Sequence, residues 1–336
     1  MSIGKAKIPG WLPGALVSLA LVAGILYFVD LRATAAALAR ANYALLAAGL
    51  ALSALWLLVR AQVWRTLLRD KPSFPTTFLT IGEGYLLNNF LPFRLGELGR
   101  AFLLSRKSDL RFMEILPTVV IERVFDLAYT AAIFVLAVPF VVGAQGADRI
   151  GFIIGGVVLG GLVVLYIVAR NRQQALNLFH TLSARWPVIQ RLGGHFLESF
   201  FVGLAVFTDG WLFARFLLWM TFNWAIAIVQ YTLVIQAFFP QATPIWGMFG
   251  LGAAAFGGAI PSLPGAVGTF EGAFGGALTL LSGDQSTALA VALTGRLYNY
   301  FTSGIVGAYA LSREGQTLSG IYHQLMNLRN RQDDIL

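Results

Sequence analysis

The sequence predicts an all-α polytopic membrane protein, on three observations. Of 336 residues, 57% are hydrophobic and only 12% are charged, about half the charged share of a soluble domain. Mean hydropathy is +0.71. The apolar residues come in long blocks, where a soluble core would show amphipathic stripes. A single transmembrane domain, 1–336, is the natural count at this length.

Six runs are long enough to cross about 30 Å of hydrocarbon at about 1.5 Å per residue: 12–30, 43–64, 113–142, 150–169, 211–239 and 286–311. The first follows Lys5 and Lys7 and precedes Ala33-Thr34-Ala35, which imitates a signal peptide. Its apolar run is too long for a typical signal, and more spans follow, so it reads as a helix. Two further apolar regions are broken. Region 73–105 breaks at Asn88-Asn89-Phe90-Leu91-Pro92, and region 244–282 at Pro261-Ser262-Leu263-Pro264-Gly265. Each half is too short to span, so each region reads as a re-entrant pair of half-helices. Segments 173–186 and 193–208 are amphipathic and suit the interface.

The predicted halves are 1–142, holding the first re-entrant pair, and 150–312, holding the second, with 313–336 as a cytoplasmic tail. Basic residues orient them. With the N-terminus inside, 15 Lys and Arg fall on the cytoplasmic side and only Arg32, Arg40 and Arg149 outside. That is the positive-inside bias. It makes the two re-entrant pairs enter from opposite sides, an inverted-repeat, transporter-like plan. Both breaks also fit P-x-x-x-G-x-x-G, at Pro92, Gly96 and Gly99 and at Pro261, Gly265 and Gly268. In a Gly-rich chain the match has chance as its competing reading.

An ionisable residue inside a span costs about 2.5–3.5 kcal/mol on insertion scales, so each needs a reason. Glu83, Asn88, Asn89, Arg94, Glu97 and Arg100 gather around the first break. Glu97 and Arg100 are close enough on a helix to pair. Arg94 would stand at that helix's positive end, where an anion is favoured. Equally, Arg94 and Arg100 could face headgroups. Glu122, Arg123 and Asp126 lie deep in the 113–142 run, with Arg123 in reach of Asp126. They fit a substrate site or a network that locks helices. Glu271 follows the second break, and Arg296 lies mid-span with Asn299, Tyr300 and Ser303 on its face. Glu271 and Arg296 are expected to face one interior cavity. Asn223 and Gln230 could line it or glue helices.

Cysteine is absent and only three histidines occur. Thiol chemistry and the usual zinc sites are excluded. No HExxH, Walker A or GxSxG pattern appears. No cofactor, no metal and no enzyme activity are expected. The +8 charge flanks spans, which points to anionic lipid headgroups and away from nucleic acid.

The run from Asn88 to Arg100 resembles N-x-x-P-x-R-x-G-E-x-x-R, the run Glu122-Arg123 with Asp126 resembles E-R-x-x-D, and Pro261 to Glu271 resembles P-x-x-P-G-G-x-G-x-x-E. With Arg296, these are similar to the lysylphosphatidylglycerol synthase transmembrane, or flippase-like, family, over nearly the whole chain. Ala266 departs from it where a second glycine is expected. The resemblance implies a membrane domain that moves or presents a lipid between leaflets: a phospholipid, glycolipid or polyprenyl-phosphate lipid. A soluble aminoacyl-transferase domain follows in fused members. None is expected here, so aminoacylation is not carried over. The expectation is a lipid flippase in the cell membrane with both termini cytoplasmic. The alternatives are a membrane enzyme on a lipid-linked substrate, or a scaffold for a lipid-synthesising enzyme.

Overall fold

A computed structural model describes residues 30–91, 95–142, 209–260, 264–316 and 320–321, with isolated positions between 156 and 181. The expected span at 12–30 and, those isolated positions apart, the span at 150–169, the interfacial segments and the tail beyond 321 lie outside the described residues. Among the described residues there are nine α-helices and no strand. They are α1 (Leu31–Arg40), α2 (Tyr43–Leu67), α3 (Phe74–Phe90), α4 (Leu95–Lys107), α5 (Phe112–Val142), α6 (Gly210–Gln236), α7 (Pro244–Ala259), α8 (Thr269–Ser282) and α9 (Gln285–Arg313). A short 3-10 turn, Pro264–Ala266, joins α7 to α8.

Polar residues set the helix starts, because the first turn leaves N–H groups without partners. Asp30 accepts from the Arg32 and Ala33 amides and starts α1, a helix not expected from the apolar pattern. Asn42 accepts from Ala44 and Leu45 to start α2. Ser73 caps α3, with Pro75 in its first turn. Asp284 accepts from the Thr287 amide and hydroxyl to start α9. Those bonds hold its carboxyl below the usual aspartate range.

Three helices are long and apolar enough to cross a membrane: Tyr43–Leu67, Phe112–Val141 and Gly210–Gln236. The chain is a helical membrane protein. α9 has the length, 29 residues, but carries a polar face. Leu297, Phe301, Ile305 and Tyr309 stand exposed at four-residue intervals, while Arg296 and Ser303 are buried. This separation puts a lipid-suited stripe on one side and polar groups inside.

The order helix, hairpin, helix occurs twice, as α2–α5 and α6–α9. In each half the short helices fold back on each other, α3 on α4 and α7 on α8. Small residues permit this. A Cβ on Gly96 would overlap the Gly84 carbonyl, and one on Gly257 would overlap Ala273 and the Thr269 carbonyl. Packing partners correspond between halves. The first hairpin lies on α9, the second lies on α5, and α2 pairs with α6. Trp64, Phe216 and Met220 fill the core under α2 and α6.

Helix ends assigned to one side by the basic residues meet. Lys107 reaches Glu314 at 2.5 Å, and Arg215 reaches Asp70 at 2.7 Å. At the opposite end the Asn42 amide donates to the Ala237 carbonyl at 2.8 Å. The Thr34 hydroxyl donates there to the Ser286 carbonyl.

Candidate functional site

The first charged cluster joins α2, α4 and α5. Glu122 and Asp126, one turn apart on α5, share a face turned toward α2. Arg60 Nη1 donates to Asp126 Oδ1 at 2.8 Å and Nη2 to Glu122 Oε1 at 2.5 Å, with a further bond to Asp126 Oδ2. Arg100 Nη2 donates to Glu122 Oε1 at 3.0 Å from α4. Its guanidinium lies 4.7 Å from the centre of the Trp64 ring, a cation–π contact. Arg123 bonds Glu97 at 3.1 Å and Asp126 at 3.0 Å. Glu122 is fully buried, with Arg60 2% and Arg100 3% exposed. Three guanidiniums and three carboxylates therefore balance in a site with little access to water, as buried charge requires.

The second cluster is smaller and holds the turn between α7 and α8. Arg296 grips Glu271 through both Nε and Nη2, the latter at 2.8 Å. It also donates to the Gly265 carbonyl and, at 2.9 Å, to the Ala266 carbonyl. Glu271 Oε2 accepts from the Gly268 amide at 2.8 Å, closing the first turn of α8. Phe270 lies 4.7 Å from the Arg296 guanidinium. All of this needs the chain to reverse sharply, which it does through Gly265 and Gly268 at φ +70 and +86. Gly268 is thus a turn residue at the start of α8.

The two hairpin tips meet. Asn89, in the last turn of α3, donates from Nδ2 to Ser303 Oγ on α9 at 2.9 Å. Its carbonyl lies against Gly265, beside the Tyr300 hydroxyl. Asn88 lies against Gly96, with a buried Oδ1 that has no partner. Arg94, like residues 92–93 and 261–263, lies outside the described residues.

The structure regroups the expected residues. Glu97 and Arg100 both find partners on α5, which merges the first two sequence clusters into one. Glu83 leaves that group. It pairs with Lys107 at 2.5 Å, and Lys107 also binds Glu314. Glu83 sits too far back along α3 to reach the tip. Arg60, which stands in none of the clusters drawn on the sequence, carries the centre of the first one. The sequence carries the signal, because a guanidinium inside an apolar run must find a buried acid.

A cavity of about 100 Å³ opens between α2, α5, α6 and α9, with Arg60, Asp126, Asn223, Trp224, Gln230 and Asn299 in its wall. Asn223 also donates to the Trp56 carbonyl at 3.0 Å, so it both lines the cavity and ties α6 to α2. Arg296 and Glu271 meet each other, while the cavity takes Asn299, one turn further along α9. Among the described residues no group of three or more acidic, His or Cys side chains is placed to hold a metal ion.

The family described as lysylphosphatidylglycerol synthase TM region matches residues 15–307. The chain belongs to that family. No curated protein and no solved structure matches the chain. Family membership agrees with the motif residues, and those that are described gather at the two hairpins and on the helices beside them. In this member of the lysylphosphatidylglycerol synthase transmembrane family, the departure at Ala266 has a conformational meaning. Ala266 adopts φ +55, where a side chain costs about 1–2 kcal/mol.

Proposed function

We propose that this protein moves a phosphate-bearing lipid between membrane leaflets, without covalent chemistry. The observation that carries the reading is the meeting of two hairpins, tip against tip, each braced by buried arginine–carboxylate contacts. The basic-residue asymmetry makes these hairpins enter from opposite sides, with both termini cytoplasmic in the cell membrane. A lipid headgroup crossing the tips would meet Arg100 and Arg296, and the sequence adds Arg94 beside the first break. Each guanidinium could trade an internal carboxylate for a phosphate, since both suit its fork of donors. Glu122, Asp126 and Glu271 hold Arg60, Arg100 and Arg296 in place when no headgroup is bound, as buried cations require.

The test is lipid scrambling by purified protein in liposomes, with a fluorescent phospholipid in one leaflet. Wild type should scramble at least about tenfold faster than Arg296→Lys, because lysine cannot bind bidentately. The variant's fold is checked by size-exclusion chromatography and melting. Equal rates in folded protein overturn the proposal.

A further inference from the structure

Glu83 is the buried acid that the two arginine clusters leave out. On either side of it, Gly82 brings α3 against Val306 of α9, and Gly84 brings α3 against Gly96 and Arg100 of α4. Glu83 itself has no exposed side-chain surface. Its Oε2 accepts from Lys107 Nζ at 2.5 Å. Its Oε1 is buried and has no partner. Lys107 Nζ lies equally close, 2.5 Å, to Glu314 Oε1 at the end of α9. Two carboxylates therefore share one ammonium.

The charges here do not balance. Of the elements packed on α3, α4 contributes Lys107 and α9 contributes Glu314. α2 meets α3 in an apolar core that holds Ala61, Trp64 and Ile81. Arg60 and Arg65 of α2 are bound elsewhere, to Glu122 and Asp126 and to the Pro72 carbonyl. The 3-10 turn carries no charge. Arg106 and Arg313, next in sequence to the two partners, are exposed, and Arg106 lies over Phe102. Among the described residues, two acids against one ammonium leave one negative charge in excess. In the first cluster, by contrast, arginines and acids are equal in number.

A carboxylate oxygen with neither donor nor water is unfavourable, and a second carboxylate on the same ammonium adds repulsion. A single proton relieves both. Lys107 and Glu314 keep 15% and 25% of their side chains exposed, which gives the buried acid an edge open to water.

We infer that Glu83, Lys107 and Glu314 form a proton-binding site that controls how the first hairpin is held to α9. With Glu83 ionised, Lys107 bridges two acids and ties α3, α4 and the end of α9 together. The step is the addition of one proton to the Glu83 carboxylate, and no other covalent bond changes. Lys107 then has Glu314 as its counter-charge, and its pull on α3 weakens. The basic residues put this end in the cytoplasm, so the site reads cytoplasmic pH. The part of the inference that makes the proton govern lipid movement rests on the transport reading above.

The experiment uses the full chain in vesicles of phosphatidylcholine and phosphatidylglycerol, with two readouts. The first is infrared difference spectroscopy from about pH 5 to about pH 9, the range open to a buried carboxyl. Wild type should gain the C=O band of a protonated carboxyl as pH falls, and Glu83→Gln should lose that band. Glu314→Gln removes the repelling charge and should move the transition about one unit lower in pH. It also keeps the test open should Glu83→Gln fail to fold. A band that neither variant alters overturns the inference. The second readout is scrambling of a fluorescent phospholipid over the same range. Wild type should speed up as pH falls, and Glu83→Gln should be insensitive to pH. Any other profile in protein that scrambles overturns the control of the hairpin. Titration in protein that scrambles at no pH keeps the proton site and sinks the transport reading. Scrambling without the titration does the reverse.

Discussion

The two hairpins answer the same problem in different ways. Each must end inside the protein and hold an arginine there. At the first, the arginine stands on the hairpin (Arg100 on α4) and the acid on the following helix (Glu122 on α5). At the second, the signs are exchanged, with Glu271 on the hairpin helix α8 and Arg296 on α9. The first acid is shared by several arginines drawn from different helices. Among the described residues the second acid meets one arginine, which also holds two carbonyls of the turn. One cluster ties helices together and the other shapes a backbone reversal. Two hairpins set in the same helix order can thus carry unequal structural duties.

The sharpest way to break that comparison is to neutralise each acid. Glu122→Gln leaves Arg60 and Arg100 in a buried site short of a counter-charge. It should cost about 3–5 kcal/mol, seen as loss of the monodisperse species in detergent. Glu271→Gln should cost less, about 1–3 kcal/mol, because Arg296 keeps its backbone acceptors. Equal melting temperatures for the two variants would erase the distinction.

Next in size is the exchange of the second pair, Glu271→Arg with Arg296→Glu. If the pair were only an ion bridge, the double variant would recover wild-type stability. Here the carbonyls of Gly265 and Ala266 need a donor from position 296, so the exchange should stay about 2 kcal/mol below wild type. Full recovery in a thermal melt would reduce the pair to a simple bridge.

The smallest effect sharpens the turn itself. Ala266→Gly should raise stability by about 1 kcal/mol, since glycine adopts positive φ without the side-chain penalty. A fall in melting temperature would show that the Ala266 methyl packs better than its backbone strain suggests.

Much of the candidate site was legible in the chain. Glycine and proline marked both breaks, and the cost of charge in hydrocarbon marked Glu122, Asp126, Glu271 and Arg296 as residues in need of partners. Arg60 was legible as an anomaly but not as a member of the site. It lies 62 residues from Glu122, and helical period says which residues share a face, not which helix that face meets. Glu83 failed for the opposite reason. Nearness in sequence placed it with Glu97 and Arg100, yet about two turns of α3 carry it away from the tip and toward Lys107.

The sequence alone determined the solvent, the breaks and the need for internal ion pairs. These follow from local quantities: apolar run length, backbone chemistry and the desolvation cost of each charge. Only the tertiary structure decided the pairing: Arg60 with Glu122 and Asp126, Asn89 with Ser303, and the tips against each other. Those outcomes depend on the rotation and stacking of helices far apart in the chain, where small residues such as Gly84, Gly96 and Gly257 let backbones approach closely enough to choose.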